Sequence, residues 1–119
     1  MQANETGSQT LEFALVLPLV AVAITFVLQL AVLGADHVVA HGLAREAARA
    51  AAVGSDGEAR AAVQAAATGR IVEIDFAPPT GVRTAGDLVT ATIRLRSRPL
   101  PVVGPAWIEA RAVMRTEQP

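Results

Sequence analysis

FALVLPLVAVAITFVLQLAVLGA, residues 13–35, decides the architecture of this 119-residue chain. No residue in it carries a formal charge, and only Thr25 and Gln29 interrupt it with longer polar side chains. As a helix it spans about 34 Å, against about 30 Å for the hydrocarbon core of a bilayer. Pro18 falls in its first turns, a kink that membrane helices tolerate. The run therefore reads as a transmembrane helix. A cleaved secretory signal would instead have about 7–15 apolar residues behind a basic segment, whereas residues 1–7 hold Glu5 and neither Lys nor Arg.

The helical pattern does not stop at the end of the apolar run. After Asp36-His37 it continues as VVAHGLAREAARAAAV, residues 38–53, rich in the best helix former and unbroken until Gly54. Val39, Leu43, Ala47 and Ala50 fit one face of this continuation, with Arg45, Glu46 and Arg49 on a more polar side. The expectation is a single helix of more than forty residues, half of it in lipid. GSDG, residues 54–57, reads as a turn, and Ser55 followed by Glu58 matches a capping box. A second, short helix then runs to Gly69, presenting the small side chains Ala59, Ala62, Val63 and Ala66.

Beyond Gly69 the apolar period shortens to two. Val72, Ile74 and Phe76 alternate with Glu73 and Asp75; Val89, Ala91, Ile93 and Leu95 alternate with Thr90, Thr92, Arg94 and Arg96. Ile108, Ala110, Ala112 and Met114 alternate with Glu109, Arg111 and Arg115. Three strands with one wet face each imply an antiparallel sheet. PPTG at 78–81 and AGD at 85–87 supply turns between the first two. The predicted fold class is α+β: a long N-terminal transmembrane helix continuing outside the membrane, a second short helix, and a small three-stranded antiparallel sheet.

Composition narrows function by exclusion. Hydrophobic residues make up 52% of the chain but aromatic residues only 3%, and mean hydropathy is +0.41. Such a core gains little area per residue at about 25 cal/mol per Å². The net charge of −1 and thinly spread arginines offer no polybasic face for nucleic acid. The absence of cysteine excludes disulfides, thiol catalysis and Cys-based zinc sites.

The residues before the apolar run carry a resemblance. Gly7-Ser8-Gln9-Thr10-Leu11-Glu12, followed by the span, resembles the processing site of type IV prepilins. In that family a membrane peptidase cuts after the glycine, and the glutamate becomes the fifth residue of the mature chain. LEFALVLP together with AREAARAAA is similar to the TadE family of minor pilins, or pseudopilins, of the tight-adherence (Flp) pilus. The strand-rich tail ending in ARAVMRTEQP is also similar. The resemblance implies cleavage between Gly7 and Ser8, and an assembly role for Glu12, whose carboxylate would meet the amine freed at Ser8. It also implies partners: the major Flp pilin, other minor pilins, the prepilin peptidase, an inner-membrane platform with its ATPase, and membrane lipid. The chain would lie in the cytoplasmic membrane as a single span, N-terminus inside and C-terminal part outside. From the pilus it could reach the extracellular space after assembly. The divisions implied are a leader at 1–7, an assembly helix at 8–35, its extramembrane continuation at 36–53, and an extracytoplasmic part at 54–119. The leader departs from the family pattern in having no Lys or Arg.

Other constellations are weaker. Taken alone, Glu12 also reads as a residue marking the edge of the membrane. His37 and His41 have the i, i+4 spacing of a metal pair, but HVVAH lacks the glutamate of H-E-x-x-H. They read better as polar residues where the helix leaves the membrane. PLPVVGP, residues 99–105, reads as an extended linker over the sheet edge; its other reading is a subunit contact through Pro99 and Pro101 with Trp107 as anchor. No nucleophile with a base, phosphate loop or paired carboxylates is present, so neither an enzyme nor a cofactor is expected. The competing function is an uncleaved single-pass scaffold or surface-binding protein of a secretion system.

Overall fold

The computed structural model describes residues 2–99 and 104–117. Its first element, α1 (Gln2–Val53), is one helix of 52 residues with Pro18 inside it. The chain divides into two units, Met1–Val32 and Leu33–Pro119.

In the first unit the helix buries almost nothing. Phe13 is 69% exposed and Leu15 70%, and Leu19, Val22, Ile24, Phe26 and Leu28 are exposed as well. An apolar helix with no covering elements is stable only where lipid or other helices replace water around it. It is the one helix among the described residues long and apolar enough to cross a membrane. Thr25 satisfies its hydroxyl by donating to the Ala21 carbonyl at 2.8 Å, which removes its need for an external partner. Gln29 is buried, and neither of its amide atoms has a partner among the described residues.

In the second unit the rest of α1 joins α2 (Asp56–Ala66) and three strands, β1 (Val72–Ala77), β2 (Leu88–Arg96) and β3 (Trp107–Arg115). The strands form an antiparallel meander in the order β1-β2-β3. Register follows the apolar alternation: Ile74 pairs with Ile93 and Ile93 with Ala110, while Phe76 pairs with Ala91 and Ala91 with Ala112. A slip of one residue would turn every one of these side chains to the wet face. The inner face meets Ala40, Leu43, Ala44, Ala47, Ala48 and Ala51 of α1 and Ala59 and Val63 of α2 in one core. Ile93, Leu95, Val63 and Val89 are the largest apolar side chains fully buried in it. The helix contributes alanines and the sheet contributes bulk, so volume is matched across the interface rather than within either layer.

Two details differ from the sequence reading. The buried stripe of α1 runs through Ala40, Ala44, Ala48 and Ala51, and Val39 lies 41% exposed beside it. Alanine on both sides of the helix blurs the phase that periodicity would otherwise reveal. The turn after α1 is also shorter than GSDG. Ser55 is the N-cap, so Asp56 and Gly57 already belong to α2. The capping box is complete: Glu58 N–H donates to Ser55 Oγ at 3.3 Å, and Ser55 N–H to Glu58 Oε2 at 3.0 Å. At the far end Thr68 and Gly69 take positive φ values of 46° and 77°, ending the helix in the left-handed region that glycine favours.

Candidate functional site

Gly7, Ser8 and Glu12 all lie on the first unit's helix with exposed side-chain positions. A Cβ added to Gly7 would meet nothing within 4 Å, as at Gly34 and Gly42. Packing within the chain therefore does not demand the glycine, although it costs about 1 kcal/mol relative to alanine in a helix interior. Ser8 and Glu12 stand i, i+4 apart, one helical turn, so a charge at Ser8 N would reach the Glu12 carboxylate.

Sequence reasoning missed two polar joints in the second unit. The first is built on Asp36, which is fully buried. Arg70 Nη1 donates to its Oδ1 at 3.0 Å, and Arg98 donates from Nη2 to the same oxygen at 3.1 Å. Arg98 also gives Nε to Oδ1 at 3.3 Å and its backbone N–H to Oδ2 at 3.1 Å. Burial by itself pushes this carboxyl up, but the bonds from Arg70 and Arg98 outweigh it and hold its pKa below the ordinary value. The joint ties α1 to the chain before β1 and after β2. One signal was available: Asp36 is in phase with Ala40, Ala44, Ala47 and Ala51, and a charge on an apolar stripe requires a partner.

The second joint is built on Arg83 in the β1–β2 connection. Its guanidinium donates to Pro78 O at 2.6 Å and to Ala51 O at 3.1 Å, and pairs with the Asp56 carboxylate. The carboxylate also accepts Thr80 N–H at 2.9 Å, while Asp56 N–H donates to Thr80 Oγ1 at 2.9 Å. A cation thus caps the negative end of α1, and an anion occupies the positive first turn of α2. Burial raises the Asp56 pKa, but the Thr80 and Arg83 bonds lower it further. The Arg83 and Arg60 guanidiniums each lie 5.8 Å from the Phe76 ring centroid.

Trp107, 42% exposed, sits on the outer sheet face opposite Arg96, with Arg94 and Arg96 stacked at 5.5 and 5.7 Å from its ring. Pro99 is exposed; Pro101 lies outside the described residues. His37 donates Nδ1–H to Leu33 O at 2.9 Å, and His41 is exposed. Among the described residues no three metal-ligating side chains gather. An open depression of about 340 Å³ lies between Arg70, Arg96, Arg98 and Pro99.

A bare apolar helix that runs on into a small helix-on-sheet unit defines a helix-anchored α+β protein. The family model described as TadE-like protein matches residues 7–49, so this part of the chain is similar to that family. The match begins at Gly7 and ends within α1, so the sheet lies outside it. Searches of curated proteins and of solved structures gave no match.

Proposed function

We propose that the chain is a minor pilin, or pseudopilin, cut after Gly7 by a prepilin peptidase and incorporated into, or supporting assembly of, a Flp (Tad) pilus. It acts as a structural subunit rather than an enzyme. The observation that carries this reading is the laterally exposed helix following Gly7, with Glu12 at its entrance. A charged residue deep in a bilayer costs about 2.5–3.5 kcal/mol on insertion scales, while one at the boundary reaches toward headgroups. Cleavage creates an ammonium at Ser8, and pairing of that ammonium with Glu12 of an adjacent subunit compensates both charges and fixes axial register. Pairing within one chain is the stored form of the same contact. The exposed leucines, valines and phenylalanines then exchange lipid for neighbouring helices, with the major Flp pilin and other minor pilins as partners. The platform and its ATPase supply the work of assembly.

Because α1 begins at Gln2, the Gly7–Ser8 bond is helical until the segment opens, and the uncleaved scaffold is the second reading. N-terminal mass spectrometry of the chain produced with its cognate peptidase separates them. A mature chain beginning at Ser8, and its loss in Gly7→Leu, are the expected results; a persistent Met1 start sinks the pilin reading. Glu12→Ala should be cleaved yet incorporated poorly, and unchanged piliation in that strain removes the charge pair.

A further inference from the structure

Three arginines gather at the start of the second unit. Asp36 directly follows Ala35, the last residue of the uncharged run. Arg70 and Arg98 both donate to its Oδ1, which brings two guanidiniums onto one oxygen. Arg70 also donates Nη2 to Arg96 O at 3.1 Å, drawing the end of β2 into the cluster. Arg70 and Arg98 bond Asp36 while the Arg96 guanidinium stacks on Trp107, yet all three line one depression, so three cations set against that one carboxylate leave two positive charges uncompensated. Of the sheet's acids, Glu73 pairs with Arg94 at 3.1 Å and Glu109 with Arg111 at 2.6 Å. The depression bounded by Arg70, Arg96 and Arg98 is completed by apolar groups, with Ile71 (59% exposed), Pro99 and Pro105 lining it.

We propose that this depression holds the phosphodiester headgroup of an anionic phospholipid. The Arg98 side chain is 57% exposed, and its Nη1 is not engaged among the described residues, leaving it free to meet a phosphate oxygen. Ile71 and the two prolines offer a surface to the glycerol and the first acyl carbons, which free phosphate would leave uncovered. With the uncharged run in the bilayer, Asp36 stands at the boundary between hydrocarbon and water, and the groups that bond it stand at headgroup depth. The inference rests on the membrane reading of the run and is independent of cleavage after Gly7 or of pilus assembly.

The test uses the full chain in dodecyl maltoside micelles, titrated separately with dioctanoyl phosphatidylglycerol, dioctanoyl phosphatidylcholine and inorganic phosphate. Bound lipid is counted by native mass spectrometry, and Trp107, the chain's sole tryptophan, reports by emission because Arg96 stacks on it. Each arginine near an anionic headgroup strengthens binding about fivefold, so two uncompensated charges predict about 25-fold preference for phosphatidylglycerol over phosphatidylcholine. Arg96→Gln, which leaves both Asp36 pairs intact, should remove about fivefold, and Arg96→Gln with Arg98→Gln should remove the preference. Arg111→Gln, on β3, should leave it unchanged. Equal binding of the two lipids overturns the proposal, as does preference undiminished in Arg96→Gln. Saturation by inorganic phosphate at the same concentration as phosphatidylglycerol overturns the lipid source. Each of these failures leaves membrane insertion of α1 untouched.

Discussion

Replacing Arg83 with methionine keeps an unbranched apolar stem and removes the cation. The side chain is 2% exposed and joins three elements through Pro78 O, Ala51 O and the Asp56 carboxylate. Hydrogen bonds to charged groups contribute about 1.5–3 kcal/mol each in mutational series. Asp56, 16% exposed, keeps its bond from Thr80 N–H and regains some water, and the methionine recovers part of the apolar contact with Phe76. A net loss of about 3 kcal/mol is therefore expected. For a unit the size of Leu33–Pro119 that corresponds to roughly 15 °C in Tm. The assay is thermal or urea unfolding of the full chain in micelles, followed by Trp107 emission, which senses β3 while the detergent-covered part of α1 remains helical. Asp56→Asn alone should cost less, and the double variant about 2 kcal/mol less than the two singles together, because removing one member of a buried pair strands the other. A loss in Arg83→Met below about 0.5 kcal/mol, or strict additivity with Asp56→Asn, would refute the joint as a source of stability.

Acid should weaken the second unit in a defined window. Asp36 and Asp56 have pKa values below the ordinary carboxylate value when folded. The stability they supply is complete above about pH 5 and is lost as pH falls below about 4, through the depressed folded values. Asp36→Asn should flatten that acid limb in a pH series of urea midpoints. Ile93→Ala removes a fully buried branched side chain and should cost about 2–5 kcal/mol. Ala48→Leu forces bulk into the close helix–sheet approach and should cost about 1–3 kcal/mol despite better burial of apolar atoms. All ten arginines lie after residue 44, and Arg45 and Arg49 fall within the window where positive charge favours the cytoplasmic side. Gln2→Lys with Asn4→Lys should therefore raise the fraction inserted with the N-terminus inside, read by protease protection of the C-terminal part.

The elements were legible wherever one residue's surroundings are set by its near neighbours. The apolar run needs only its length, the capping box only Ser55 and Glu58, and each strand only its own alternation. The register could be anticipated because one face of the sheet is wet. What could not be read was pairing across the chain. Arg83 meets Ala51 and Asp56, and Arg98 meets Asp36 from 62 positions away, contacts that exist only after the topology is fixed. Asp36 showed at least an anomaly, a charge on an apolar stripe; Arg83, in a loop among small residues, showed none. Gly7 and Glu12 are the reverse case: their meaning came from spacing and resemblance, and the fold of the single chain adds only that nothing packs against them.

The last residues of the described chain close the second unit. Thr116 N–H donates to Asp87 O at 2.7 Å, Gly86 N–H donates to Thr116 O at 2.9 Å, and Glu117 N–H reaches Ala52 O at the end of α1 at 3.0 Å. The alanine stripe of α1 therefore lacks part of its cover until β3 has paired, since domains form as units once their last element is in place. A unit closed by contacts between residues so far apart in the chain also folds more slowly than one closed by near neighbours, because the intervening loop must be ordered before those contacts form.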